Sequence, residues 1–292
     1  MCILSLDQRI EIDLSELYNG GITPGDILNA NGLNGLIPAK PGQTSFATRA
    51  LPRYYTGNRK ARTVMVMLNP GIDVTVANKN LFCDICVSGM KNAGDVCGYH
   101  NWCTNFGRMD RSRFDNFDIK QAFFLHKWKK TGIRFPAGLC ANPKSERQVL
   151  LDAKEIVLTQ KLQLELIPYA SSSFGSFIKG KIGLVFPFVE TLLKEIFSEK
   201  RKYVIFCSKK FARIFREYNK MNPGTFCFIR TDKIMIPNSA IMGSCTKIHI
   251  NYGKDSMDAI IANTFPSQAL PNAYELMEHY GEFCYNCFTR KP

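Results

Sequence analysis

The chain predicts an α/β fold, a three-layer α/β/α sandwich around a mostly parallel central sheet. Two observations predict it. The uninterrupted apolar run at 64–68 stops abruptly at turn residues, as a strand buried on both faces does, and strand candidates at 162–167 and 203–207 end in the same way. Between them lie stretches with helical periodicity, and strands alternating with helices make parallel crossovers.

A hydrophobic share of 45% over 292 residues, with 21 Phe, suffices for either one large domain or one domain with an appendage. Residues 1–62 read as an irregular lead-in, turn-rich at 19–25 and 29–35, with a short helix around 14–18. Residues 63–292 read as the α/β domain, interrupted by a Cys- and His-bearing insert at about 82–103. The first strand, 64–68, runs into Asn69-Pro70-Gly71: Pro70 donates no ladder bond and Gly71 permits a positive φ, so the strand ends there. That leaves Asn69 at the carboxyl end of a central strand, where open α/β sheets hold ligands.

After the insert comes an amphipathic stretch at 119–128, then a helix at 147–160 behind the capping Ser145. The second strand, 162–167, ends at Pro168-Tyr169. A helix at 188–198 feeds the third strand, which ends at Ser208-Lys209-Lys210 before a helix through Ala212 and Phe215. Residues 225–229 and 247–252 are further strand candidates. The run 259–262 leads into Thr264-Phe265-Pro266-Ser267-Gln268-Ala269-Leu270, and Pro271 suits the first turn of a closing helix with Ala273, Leu276, Met277 and Tyr280 on its apolar face. There is no internal repeat, and neither a Walker phosphate loop nor a Rossmann glycine fingerprint is present.

A net charge of +13 favours a polyanionic partner. The cations are clustered, as in Lys209/Lys210/Arg213/Arg216, and several clusters adjoin aromatics such as Tyr54, Trp128 and Phe211, a mixture suited to nucleic acid. No basic segment leads into an apolar core at the N-terminus, and the apolar stretch 182–193 is broken by Pro187 and Glu190, so the expectation is a cytoplasmic chain away from membranes. Eleven cysteines then point to thiols or metal ligands rather than disulfides.

Four strand ends carry marked motifs: Leu68-Asn69-Pro70-Gly71, Glu165-Leu166-Ile167-Pro168-Tyr169, Phe206-Cys207-Ser208-Lys209-Lys210 and Phe265-Pro266-Ser267-Gln268-Ala269-Leu270. In this order they resemble the uracil-DNA glycosylase superfamily, most closely its mismatch-specific thymine/uracil branch, over roughly residues 63–283. The resemblance implies a monofunctional enzyme that flips a base out of DNA, hydrolyses its N-glycosidic bond and leaves an abasic site. It implies that Asn69 positions the attacking water, with Pro70 and Gly71 beside it, and that Phe82 stacks on the flipped base. Pro168 and Tyr169 would border the base. Pro266, Ser267 and Gln268 would hold phosphates, as would Ser171, Ser172, Lys209 and Lys210, while Ala269 and Leu270 would wedge into the vacated stack. Double-stranded DNA is the implied partner, and a monomer the expected state.

Two departures bear on substrate. The fast uracil-excising branch carries a His before Pro-Ser, where this chain has Phe265. Many relatives read uracil with an Asn where this chain has Glu165. A carboxylate repels uracil O4 but accepts from the exocyclic amine of cytosine. The favoured substrate is therefore a modified cytosine, as in antiviral defence against phage DNA, with Glu165 as a second catalytic residue. Uracil or thymine mismatch repair is the alternative. A non-catalytic nucleic-acid binder and a hydrolase of free nucleosides are rivals of other classes.

Cys83-x2-Cys86, Cys97-x2-His100-x2-Cys103 and Cys284-x2-Cys287 have the spacing of zinc ligands, so a structural Zn²⁺ is one expectation for the insert and reduced thiols the other. No cofactor is needed for the chemistry itself.

Overall fold

The computed structural model describes residues 4–19, 26–27, 30, 32–33, 52–70, 96–109, 116–135, 151–153, 155–171, 182–237, 242–265 and 274–290. In chain order the elements are α1 (Leu6–Asn19), β1 (Tyr55–Gly57), β2 (Thr63–Met67), α2 (Val96–Met109), α3 (Asn116–His126), β3 (Leu162–Glu165), α4 (Phe186–Phe197), β4 (Tyr203–Phe206), α5 (Lys210–Met221), β5 (Phe226–Met235), β6 (Met242–Tyr252), β7 (Asp255–Ala262) and α6 (Tyr274–Thr289). Seven strands form one sheet in the order β1-β3-β2-β4-β7-β6-β5.

The fold is α/β, but the sheet is mixed rather than mostly parallel. β2 runs parallel to β4 and β4 to β7, with Val64 opposite Val204 and Ile205 opposite Ile260. From β7 outward the pairing is antiparallel, β7 with β6 and β6 with β5. The cause is local. Only Gly253 and Lys254 separate β6 from β7, a connection that admits a hairpin and no crossover, and Gly253 takes the positive φ of 60° that such a turn requires. The sequence expectation of short separate strands at 225–229 and 247–252 thus gives way to a long twisted ribbon of ten and eleven residues.

The chain divides into two compact units, residues 1–56, 67–106 and 164–198 forming the first and residues 57–66, 107–163 and 199–292 the second. In the first unit α1 starts eight residues earlier than the sequence reading. Ser5 and Gln8 cap it reciprocally, Gln8 N donating to Ser5 Oγ at 3.2 Å and Ser5 N to Gln8 Oε1 at 2.8 Å. Its buried face is Leu6, Arg9, Ile10, Asp13 and Leu14, at helical spacing.

In the second unit α6 lies so close to α3 that a Cβ on Gly281 would come within 1.9 Å of the Phe124 carbonyl oxygen. Trp128 Nε1 donates to Gly281 O at 2.8 Å across the same contact. Phe124, Phe265 and Tyr280 pack edge to face or tilted around it, with ring centroids 5.1–5.7 Å apart. Across the sheet, Phe215 of α5 stacks on Phe226 of β5 at 3.8 Å, their planes 7° apart.

Candidate functional site

The first unit holds Asn69. Every residue of β2 is buried, and past its end Leu68 O accepts from Ile167 N at 2.9 Å and Pro70 O from Ser171 N at 3.1 Å, strapping 67–70 to 166–171. Asn69 is half-buried, and its Nδ2 donates to Ser171 Oγ at 2.8 Å, Tyr169 O at 3.0 Å and Pro70 O at 3.2 Å. Backbone carbonyls only accept, so the amide nitrogen must face them. The other end, Oδ1, is thereby fixed as an acceptor, and among the described residues no donor reaches it.

Behind Asn69 is a buried polar knot. Tyr169 Oη donates to Asp13 Oδ2 at 3.0 Å, and Tyr54 Oη donates to the same oxygen. Burial raises the Asp13 carboxyl to about pH 7, against the opposing pull of the Tyr169 hydrogen bond and of Arg9. Burial likewise holds the Tyr169 hydroxyl protonated, well above the ordinary phenol range. Pro168 O accepts from Arg53 N at 2.8 Å, so the Pro168-Tyr169 turn is fixed from both sides. Sequence reasoning set the lead-in aside as uninformative, yet α1 supplies Asp13. Ser5-x-x-Gln8 was the signal that would have placed the helix.

Glu165 lies elsewhere. It is the last residue of β3, and its buried side chain lines a cavity of about 10 Å³ with Leu6 and Arg9 of α1, Tyr54, and Phe188 and Glu195 of α4. That volume holds about one water and no base. Asn69 is not among the residues lining it. Sequence puts Asn69 and Glu165 on one base; in the structure the Glu165 side chain faces α1 and α4, while Asn69 is held by the 169–171 turn. The reason is positional: Glu165 is still inside its strand and turns under α1 and α4, whereas Asn69 lies two residues past the end of β2.

The second unit presents a cleft of about 700 Å³ where β4 and β7 end. Lys209, Lys210 and Arg216 line one side, and Thr231, Thr246 and Asn263 the other. Ser208 Oγ accepts from Lys210 N at 3.2 Å and so turns the chain from β4 into α5. On the facing wall Asn263 Nδ2 donates to Thr246 Oγ1 at 2.9 Å, and Thr246 shares a 2.9 Å hydroxyl pair with Thr231. Lys209 and Lys210 were expected from sequence. Thr231, Thr246 and Asn263 were not, since each is a single polar residue whose place at the cleft depends on how β5, β6 and β7 pair. Three cations around a hydroxyl-lined cleft suit phosphate oxygens. Phe265 is 1% exposed and packed on Phe124, and it also forms part of the lining of the cleft.

The candidate zinc ligands divide between the units. His100 shares a 2.6 Å hydrogen bond through Nδ1 with Tyr55 Oη and faces Asp7 Oδ1 at 3.2 Å through Nε2, which occupies both ring nitrogens. Cys97 is exposed and Cys103 buried. Cys284 and Cys287 are buried on α6 beside Cys245, where hydrogen bonding to Cys245 and burial push the Cys287 thiol up. Among the described residues no group of three or more His, Cys, Asp or Glu side chains is arranged to hold a metal ion. Gly71, Phe82, Cys83, Cys86, Ser172, Pro266, Ser267, Gln268, Ala269 and Leu270 lie outside the described residues. Among the described residues no helix is long and apolar enough to cross a membrane.

Comparison with family models, curated proteins and solved structures returns no match for this chain.

Proposed function

We propose that the chain is a monofunctional DNA glycosylase, which flips a base from the duplex and hydrolyses its N-glycosidic bond. The observation that carries this reading is the amide of Asn69, locked through Nδ2 with Oδ1 left as the one acceptor, at the carboxyl end of a buried parallel strand. A neutral amide is a poor base. Its contribution is to orient a water toward C1′ and to set its carbonyl dipole against the positive charge of an oxocarbenium-like sugar. The water oxygen bonds to C1′ as the bond to the base nitrogen breaks, and the water's proton leaves to the departing base or to solvent.

Flipping costs a few kcal/mol before chemistry begins. Phosphate contacts in the cationic cleft, with release of counterions, offset part of that cost. The preference for a modified cytosine depended on Glu165 facing the base, and its place under α1 and α4 lends that preference no support. The proposal is the reaction and the DNA partner, with cytosine derivatives, uracil and mispaired thymine as the substrates to compare.

A second reading is favoured by the cleft alone. A non-catalytic DNA binder needs Lys209, Lys210 and Arg216 but has no use for a locked Asn69. The discriminating experiment is incubation of the full chain with duplexes carrying each base, followed by mass analysis of the small molecules set free. Release of one base, with an abasic site left in the strand, supports the glycosylase. Binding with no release from any duplex supports the binder.

A further inference from the structure

Pairing in the β5–β6 ribbon sets three cross-strand pairs on one face: Thr231 opposite Thr246, Lys233 opposite Ser244, and Met235 opposite Met242. α5 covers the earlier part of that face. There Phe226 stacks on Phe215, and Tyr218 meets Phe226 edge to face at 5.8 Å. A bulge between Phe228 and Arg230 then bends β5, and beyond it the face opens into the cleft that carries Lys209, Lys210 and Arg216. The opposite face is closed, since a Cβ on Gly243 would meet Ile234, Ile236 and Tyr280 side chains, each at 3.2 Å.

The result is a one-sided ribbon graded along its length. A hydroxyl pair lies deepest, a cation and a hydroxyl follow, and a methionine pair ends it. Met235 is 57% and Met242 54% exposed, two large apolar side chains that stand out from the surface among the described residues. Met242 also lines the cationic cleft, so the apolar pair and the positive charge belong to one surface.

We propose that this open face is a docking surface for duplex DNA, its cations on phosphates and the Met235/Met242 pair inside the groove. Charge selects the partner, because an apolar tip beside Lys209, Lys210, Arg216 and Lys233 complements a polyanion with an apolar interior. The major groove, about 12 Å wide, admits a two-stranded ribbon, and the thymine methyl groups it exposes offer apolar side chains a contact. The inference goes beyond the glycosylase reading. It rests on the DNA partner and is independent of Asn69 and of any bond cleavage.

The test uses the full chain and a fluorescein-labelled duplex, with anisotropy measured over a range of salt. Met235→Ser/Met242→Ser is expected to weaken binding about tenfold, the loss of part of two buried methionine contacts, with the salt slope unchanged. Met235→Leu/Met242→Leu, which keeps the apolar contact, retains the affinity. Lys233→Ala lowers the slope of log affinity against log salt by about one. Unchanged affinity and slope in the Ser and Ala variants overturn the proposal. So does a wild-type dimer in sedimentation that the Ser variant dissolves without losing DNA affinity, which makes the patch a contact between copies. Base release on the same duplexes separates the two readings. Release with no effect of the ribbon variants on affinity overturns the ribbon alone, and a fall in affinity with no base released from any duplex overturns the glycosylase alone.

Discussion

Tyr169 joins Asp13 to Asn69: its hydroxyl donates to the Asp13 carboxyl at 3.0 Å while its own carbonyl accepts the Asn69 amide at 3.0 Å. The orientation of the half-buried amide therefore depends on a turn anchored from below by the N-terminal helix. A change in the buried knot is felt at Asn69 without any contact between Asp13 and a substrate.

The Asp13 carboxyl, raised by burial to about pH 7 in the folded chain, gives a defined pH dependence. A carboxyl whose folded value exceeds its unfolded value binds its proton more tightly when folded. Its stabilising contribution is whole below about pH 4 and is lost as pH rises through about 7, roughly 4 kcal/mol in all. Asp13→Asn keeps an acceptor for Tyr54 and Tyr169 and removes the titration. It should match wild type in urea denaturation near pH 4 and exceed it by a few kcal/mol at pH 8. Equal pH profiles for the two proteins contradict the assignment.

Ser171→Ala removes the shortest of the three bonds that lock Asn69. The expected outcome is a fall in kcat of about fivefold to tenfold, the worth of one hydrogen bond of roughly 1 kcal/mol, with KM little changed. A rise in KM at constant kcat assigns Ser171 to binding instead.

Gly281→Ala places a methyl 1.9 Å from the Phe124 carbonyl oxygen, where neither helix backbone yields cheaply. A loss of about 2–4 kcal/mol in stability is expected, with a lower thermal midpoint. An unchanged midpoint shows that α3 and α6 separate without cost.

Phe265→His recreates the residue of the fast uracil-excising branch, yet Phe265 is buried against Phe117 and Phe124. Placing an imidazole there costs about 1–3 kcal/mol and brings no acceleration of uracil release. A gain of tenfold or more in that rate puts position 265 at the base rather than in the core.

Much of the frame was legible. The uninterrupted apolar run before Asn69-Pro70 marked β2, and Leu162, Leu164 and Leu166 at every other position before Pro168-Tyr169 marked β3. Lys209 and Lys210 at the mouth of the cleft followed from their place after β4. The antiparallel ribbon escaped because the face that α5 leaves open carries Thr231, Ser244 and Thr246, polar residues that break the expected alternation. Asp13 escaped because an acid on an amphipathic helix reads as a solvated position, and only contact with Tyr54 and Tyr169 reveals it as buried. Glu165 was legible as the end of a strand, but strand position alone does not say which helices close over its side chain.

The central claim is that Asn69 positions water for cleavage at C1′. Its most direct test is single-turnover base release by wild type and Asn69→Ala on whichever duplex wild type cleaves, with duplex affinity measured in parallel. The account predicts a rate lowered by about 10²–10³, with affinity within about a factor of three, because it assigns the phosphate contacts to the cleft lined by Lys209, Lys210 and Arg216. Equal rates for the two proteins, or no base released by wild type from any duplex, contradict it.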